Sequence, residues 1–104
     1  MFARTSTLHG SPEQADRARG VFEHDVLPAC RALPGFVGAQ LLVDRRAAKV
    51  VATTFWESEA ALRQSEDRVA ELRRELAEAE GATATTVDRF EVGFMDTMPA
   101  IGRR

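Results

Sequence analysis

The stretch that decides the fold is LPGFVGAQLLVDRRAAKVVATTFWES, residues 33–58. Its Pro34-Gly35 pair marks a turn. Two runs rich in apolar and β-branched residues follow, at 36–43 and 49–56, and both have the composition of β-strands. The five-residue link between the runs is short and charged, so the two strands are predicted to form an antiparallel hairpin. Ser58 then stands where the N-cap of a helix belongs.

Neither strand of this hairpin has a polar face. In the first strand, Val37, Ala39, Leu41 and Val43 alternate with Phe36, Gly38, Gln40 and Leu42. In the second, Val51, Thr53 and Phe55 alternate with Val50, Ala52, Thr54 and Trp56. A strand with one solvated face alternates apolar with polar residues. The hairpin therefore predicts a sheet that is covered on both sides.

The flanking sequence predicts two more strands and two helices. Working outward, the elements are a strand at 1–8, a helix at 12–32, the hairpin, a helix at 59–80 and a strand at 85–95. The order β-α-β-β-α-β predicts an α+β, ferredoxin-like fold, a four-stranded antiparallel sheet with both helices on one face. The other face is apolar and needs a second surface, so we expect a homodimer that packs through the sheet face.

Local signals define the helix ends. Ser11 is predicted to cap the first helix, with Gln14 closing a capping box. Pro28 is predicted to bend or loosen the last turns of that helix, because it removes a backbone donor. The second helix is predicted to end at Gly81, and its pattern is compatible with a break along its length.

Composition narrows the class of protein. The chain has 104 residues and a net charge of -2, which fits one small domain at 1–95 followed by a C-terminal tail or dimer arm at 96–104. The chain lacks the excess of basic residues that would predict nucleic-acid binding. It also has no apolar run that approaches the ~20 residues needed to span a membrane. Cys30 is the single cysteine and fits a reducing compartment. We therefore expect a cytoplasmic protein.

PGFVGAQLL, followed by TTFWESEAAL, resembles the antibiotic biosynthesis monooxygenase domain of the dimeric α+β barrel superfamily. The resemblance extends from residue 1 to about residue 94. It implies a dimeric α+β barrel and one of two activities. The first is cofactor-independent oxygenation of an aromatic phenol, in which the deprotonated ring of the substrate activates oxygen. The second is oxidative degradation of haem.

The sequence departs from the haem-degrading branch. That branch uses an Asn on the first strand, with a Trp and then a His in the second helix. This chain contains no Asn, and Ser65 stands at the position of the helix Trp. The His position falls at Arg74 or Glu75. The resemblance therefore disfavours haem degradation, and we expect no cofactor. The phenol-oxidising members rely partly on Tyr, which is also absent, so no catalytic residue is assigned.

Two residues are the main candidates for binding an aromatic, acidic molecule. Arg4 shares a strand face with Phe2 and Leu8. Its guanidinium would either lie in a cavity and hold a phenolate or carboxylate, or reach from the strand edge to water, Asp88 or Glu91. Trp56 would either stack on a planar ligand or plug the space between the hairpin and the second helix.

Three further candidates each have a structural alternative. Phe22 and Phe90 would line an aromatic pocket or belong to the core. His9 would act as a base at the pocket mouth or be an exposed loop residue. His24 has no second ligand at a suitable spacing, so no metal site is predicted.

Two functions follow from the sequence. One is a cofactor-independent monooxygenase that binds a small aromatic or phenolic molecule between sheet and helices. The alternative is a dimeric barrel without catalytic activity that binds or senses a small hydrophobic ligand. An enclosed apolar cavity would favour the first, and an interface filled by phenylalanines would argue against it.

Overall fold

The computed structural model describes residues 1–82 and 84–97. Four strands form one sheet in the order β2-β3-β1-β4. They are β1 (Phe2–His9), β2 (Phe36–Asp44), β3 (Lys49–Trp56) and β4 (Ala84–Glu91). All three neighbouring pairs are antiparallel. The element order and the sheet confirm the predicted ferredoxin-like α+β fold.

Two helical segments join the strands. The first contains a 3₁₀ turn (Pro12–Gln14), α1 (Ala15–Val21), a π-helical turn (Phe22–Val26) and α2 (Leu27–Arg31). The second contains α3 (Glu59–Gln64) and α4 (Glu66–Glu80). Side chains from both segments form one core cluster with the central strands, which includes Leu8, Phe22, Trp56, Leu72 and Leu76.

The π-helical turn lies directly before Pro28. Its wider hydrogen-bonding pattern is seen where the N–H of Leu27 bonds to the carbonyl of Phe22, five residues earlier. Pro28 has no N–H to donate, so regular α-helical pairing cannot continue through this position. The loosening predicted around Pro28 thus takes the form of a π turn on its N-terminal side.

The predicted cap is wrong at one helix and confirmed at the other. Ser11 makes no side-chain bond to the backbone of its helix, and its hydroxyl contacts the carboxylate of Glu13 instead of forming a capping box. At α3, the hydroxyl of Ser58 accepts a 3.1 Å hydrogen bond from the N–H of Ala61. Gly81 ends α4 in the left-handed conformation, with φ at 70°, as expected for a residue without a Cβ.

Ser65 separates α3 from α4. The hydroxyl of Ser65 donates a 2.7 Å hydrogen bond to the carbonyl of Leu62, and such a bond back to the preceding turn weakens regular helix geometry. Near this break, the carbonyl of Leu62 accepts a hydrogen bond from a side chain of the sheet, as expected for a carbonyl in the last turn of a helix. This local detail positions the arginine of β1 that is described below.

The sheet has two unlike faces. We call the side packed on the helices the helix face; strand register places Arg4, Ser6 and Leu8 there beside Thr54, Ala52 and Val50. We call the other side the open face. It carries Ala3, Thr5, Thr7, Gln40, Leu42, Val51, Thr53, Phe55, Asp88 and Phe90.

Two details of the strands differ from the sequence prediction. A β-bulge between Phe36 and Gly38 shifts the alternation, so that Phe36 shares the helix face with Ala39 and Leu41. β4 ends at Glu91 rather than at residue 95. The proposed tail or dimer arm at 96–104 lies outside the described residues from 98 onward. Within residues 1–82 and 84–97, no helix has both the length and the apolar character to cross a membrane.

Candidate functional site

A small cavity lies between the centre of the helix face and the helices. Its volume is about 20 Å³, which is room for roughly one water-sized group. Its walls come from β1, β3, the π turn and α4. The lining residues are Ser6, Phe22, Val26, Ala52, Thr54, Val69, Leu72, Arg73 and Leu76. Most of these side chains are apolar, and Arg73 is the charged one among them.

Arg73 enters the cavity wall from α4. Its Nε donates a 3.0 Å hydrogen bond to the hydroxyl of Ser6. Its Nη2 is buried and has no hydrogen-bond partner among the described residues. Burial lowers the pKa of Arg73 from its usual range, with a further lowering from the positive charge of Arg4. Arg73 therefore contributes to the cavity wall and has an unused donor on its guanidinium.

Arg4 extends from β1 to the break between α3 and α4 and is 1% exposed. Its Nη2 donates to the carbonyl of Leu62 at 2.6 Å and to Glu66 Oε1 at 2.9 Å, and its Nη1 donates to the hydroxyl of Ser65 at 3.1 Å. Arg4 thus supplies the donor that the end of α3 requires. It faces the helices, but it is bonded to the protein and does not line the cavity.

Glu66 joins Arg4 to β4. Arg89 donates to both carboxylate oxygens of Glu66, at 2.6 Å and 2.8 Å, in the bidentate geometry that guanidinium and carboxylate groups favour. The hydrogen bond from Arg89, followed by the bond and charge of Arg4, lowers the pKa of Glu66 to about 2. Glu66 is consequently ionised and fully engaged at neutral pH.

The chain matches the antibiotic biosynthesis monooxygenase family model over residues 1–70. The chain belongs to this family. The matched region includes β1, the hairpin, the break at Ser65 and the first residues of α4. It ends just before Arg73, so the family match does not include that residue.

Comparison with known proteins gives relatives and structural neighbours. The uncharacterised protein Rv2557 of Mycobacterium tuberculosis is 32% identical over 95 residues, which cover 91% of this chain and 42% of that protein. The chain thus spans about two fifths of that relative's length. Several solved structures share the fold, and two of them are described next.

The first of these structures is the monooxygenase ActVA-Orf6 of Streptomyces coelicolor, in complex with nanaomycin D. It has a TM-score of 0.71, 23% identity and 92% coverage of each chain. The second is SnoaB, a cofactor-independent oxygenase from Streptomyces nogalater, with a TM-score of 0.60, 23% identity and 94% coverage of each chain. Identity at this level supports the shared fold alone.

The structure brings some of the sequence candidates together in this family member. Phe22 lines the cavity. Trp56 is fully buried next to it in the core, with its indole N–H donating to Thr54 Oγ1 at 3.0 Å and its ring edge-on to Phe36. The Arg4 guanidinium lies 6.0 Å from the centre of the Trp56 ring. Trp56 therefore occupies the position of a structural plug.

The other two candidates lie elsewhere. Phe90 is on the open face of β4 and is 53% exposed. His9 is exposed at the end of β1, where the chain leaves the sheet. Neither side chain lines the cavity. His24 is also exposed, and no cluster of three or more potential metal ligands occurs within residues 1–82 and 84–97.

The cavity residues do not fit haem. Haem is the substrate of one branch of the family that the sequence resembles. No His, Cys, Met or Tyr is among the lining residues, and these side chains are the ones that bind haem iron. Both histidines of the chain are exposed and lie away from the cavity. This site therefore does not support haem degradation, the activity that the sequence already disfavoured.

Sequence reasoning missed Arg73. The apolar stripe of α4 includes Val69, Leu72 and Leu76, and Arg73 falls at the i+4 position of the same stripe. A charged residue within the spacing i, i+3, i+4, i+7 is directed at the core side of the helix. That departure from the pattern was the available signal, together with the polar Ser6 on the buried face of β1.

Proposed function

We propose that this protein is a cofactor-independent monooxygenase that acts on a small aromatic or phenolic molecule bound between the sheet and the helices. The observation that carries the proposal is the apolar cavity bordered by a half-buried arginine, in a chain of the monooxygenase family. Structural neighbours described as a monooxygenase bound to nanaomycin D and as a cofactor-independent oxygenase support it.

The residues of the cavity suit the chemistry of such a reaction. In an oxygenation without cofactor, the deprotonated substrate supplies the electrons, one oxygen atom enters the ring and the other leaves as water. The protein must bind the ring, keep bulk water away and stabilise an anion. Phe22, Val26 and Leu76 provide apolar walls, and a guanidinium is available for the anion.

The cavity must widen to accept a ring. At about 20 Å³ it is far smaller than the roughly 150 Å³ cavity that holds benzene in another protein. Two of its walls, Phe22 and Val26, belong to the π turn, which has weaker hydrogen-bond geometry than an α-helix and is often found at functional sites. We expect this segment to move outward when the ligand enters.

A homodimer that packs through the open face is part of the proposal, as is a cytoplasmic location. The open face exposes large apolar side chains, among them Leu42 and Phe90, each 53% exposed, and Phe94, which follows β4 and is 87% exposed. An apolar surface of this kind is expected to be covered by protein. A second copy provides a matching surface around a two-fold axis.

A test uses purified protein, air-saturated buffer and a panel of naphthols, hydroquinones and anthrones without added cofactor. We expect oxygen consumption and, with ¹⁸O₂, incorporation of one labelled atom per product molecule by mass spectrometry. The variant A52L should abolish turnover, because a larger side chain at Ala52 fills the cavity. The matched control A60L adds the same groups at an exposed position of α3 and should retain it.

A second function, ligand binding without catalysis, is favoured by one observation. The described lining residues include no His, Asp, Glu or Tyr that could act as a general base. If aromatic compounds bind and A52L prevents their binding, but no oxygen is consumed with any compound, the binding function replaces the enzymatic one.

A further inference from the structure

We propose that Arg73 is the residue that binds an anionic oxygen in the helix–sheet cavity, so that ligands with a carboxylate or phenolate are preferred over neutral ligands of the same shape. This inference rests on the proposed function, because it assigns a specificity-determining residue to the same cavity. Arg73 lies outside the region matched by the family model.

The first argument is the unequal use of Arg4, Arg89 and Arg73 in hydrogen bonding. Arg4 makes three hydrogen bonds to the helices through both of its Nη atoms, while its Nε is buried without a partner among the described residues, and Arg89 makes two bonds to Glu66. Arg73 makes one, to the neutral hydroxyl of Ser6, and its buried Nη2 has no acceptor among the described residues. A buried donor without an acceptor is costly, so a ligand that supplies one is favoured.

The second argument is the local balance of charge. The charged groups that act on Arg73 are Arg4, Arg89 and Glu66. The single carboxylate among them already accepts hydrogen bonds from Arg4 and Arg89 on both of its oxygens. An excess of positive charge therefore surrounds the cavity, and an anion compensates it better than a neutral molecule does.

The third argument is the shape of the site. Apolar side chains form most of the wall, while Ser6, Thr54 and Arg73 supply its polar groups. Thr54 already accepts a hydrogen bond from Trp56, and Ser6 accepts one from Arg73. Each hydroxyl still has its O–H to donate, but the uncommitted donor of Arg73 carries a positive charge, so it is the strongest polar contact for an anionic ligand, and its planar geometry suits a carboxylate or phenolate oxygen.

The experiment compares benzoate, benzamide and nitrate as probes, with binding measured by calorimetry and by amide shifts in NMR. Benzoate and benzamide have the same shape and differ in charge, and nitrate represents a free anion without a ring. The variants are R73Q, which removes the charge, R73K, which retains it, and the control R74Q, which removes a charge from the next, exposed position of α4.

We expect benzoate to bind wild-type protein about tenfold more tightly than benzamide. The preference should vanish in R73Q, return in part in R73K and persist in R74Q, with shifts around residues 69–76 and 22–26. Equal binding of benzoate and benzamide to wild type would overturn the role of Arg73 while leaving the aromatic cavity intact. Undiminished preference in R73Q would overturn it as well.

The remaining outcomes separate this inference from the proposed function. If nitrate binds as tightly as benzoate and R73Q abolishes both, Arg73 is confirmed as an anion site, and the aromatic function loses support. If none of the three probes binds, the assignment of Arg73 fails, and the oxygen-consumption assay decides the proposed function independently. A structural role alone predicts that R73Q unfolds more easily with no change in the benzoate-to-benzamide ratio.

Discussion

The two faces of the same four strands carry different kinds of residue. The covered helix face holds Arg4 and Arg89 in contact with Glu66. The open face carries threonines and apolar side chains such as Leu42 and Phe55. Surfaces that meet water are normally the polar ones. The helix side thus combines the apolar core with an ionic site, and the open side exposes apolar side chains that we propose a second copy covers.

The comparison also explains why this small domain would gain stability by burying both faces of its sheet. Burying guanidinium groups against the helices costs desolvation energy, which hydrogen bonds and the carboxylate offset only in part. Apolar burial by a 104-residue chain is limited. Burial of the open face against a second copy would add the stabilisation that the helix side lacks.

The largest expected effect comes from removing the centre of the ionic site. Arg4→Met removes one donor each from Glu66, the Ser65 hydroxyl and the Leu62 carbonyl, while Glu66 keeps its bonds from Arg89. We expect a loss of about 3–5 kcal/mol in the free energy of unfolding, as for other broken buried ion pairs. Urea unfolding followed by circular dichroism measures it.

The matched control for that variant is Arg63→Met. Arg63 pairs with Glu59 at 3.5 Å, and both side chains are exposed. We expect a change within about 0.5 kcal/mol, because exposed ion pairs contribute little. Similar losses of stability in both variants would mean that burial does not increase the contribution of the Arg4 site to the free energy of unfolding. The interpretation of the helix face as the side with a stabilising ionic site would then be contradicted.

The second effect tests the open face. Leu42→Asp places a charge on a half-exposed apolar position of β2. We expect the dissociation constant of the dimer to rise about 100-fold, or ~3 kcal/mol, because association would bury an unpaired carboxylate. Light scattering during size-exclusion chromatography measures the mass, with Ala60→Asp on the helix side as control. A wild-type protein that is monomeric at micromolar concentration would contradict the interpretation of this face.

The fold was readable from the sequence because its signals are local. The two apolar, β-branched runs of the hairpin, the cap at Ser58 and the helix end at Gly81 each depend on a few neighbouring residues, and all were confirmed. The capping role of Ser11 failed because Glu13, two residues away, competes for the same hydroxyl. The bulge at Phe36 was missed because one extra residue in a strand leaves little trace in an apolar run.

The site was less readable because its contacts are remote in sequence. Arg4 bonds to three residues that are between 58 and 62 positions away in the sequence, and Arg73 bonds to Ser6, which is 67 positions away. The strand parity of Arg4 left open whether its side chain faces the helices, and no local pattern shows that its donors bond to a helix break. Such pairing depends on how α4 packs over β1, which emerges only in the folded chain.

A third, smaller effect concerns the acid stability of the helix side. The pKa of Glu66 is lowered to about 2 in the folded protein, against a usual 4.5. The folded state therefore binds fewer protons than the unfolded state, and the stabilisation from Glu66 is present above pH 4.5 and lost as pH falls toward 2. After allowance for its partial exposure to solvent, we expect about 2 kcal/mol. Glu66→Gln should flatten the pH dependence of unfolding in this window; an unchanged slope would contradict the network.

The smallest effect contrasts Glu66 with a buried carboxyl that lacks partners. Glu80, at the end of α4, is 1% exposed, and its Oε2 has no hydrogen-bond partner among the described residues. Burial raises the pKa of Glu80. The folded state therefore binds more protons than the unfolded state, and stability falls as pH rises above 4.5 through the higher folded pKa. Glu80→Gln should raise the free energy of unfolding at pH 7 by about 1 kcal/mol and leave it unchanged near pH 4. If Glu80→Gln instead destabilises the protein at pH 7, the ionised carboxylate of Glu80 has hydrogen-bond partners, and a buried carboxylate is stable here without an arginine beside it.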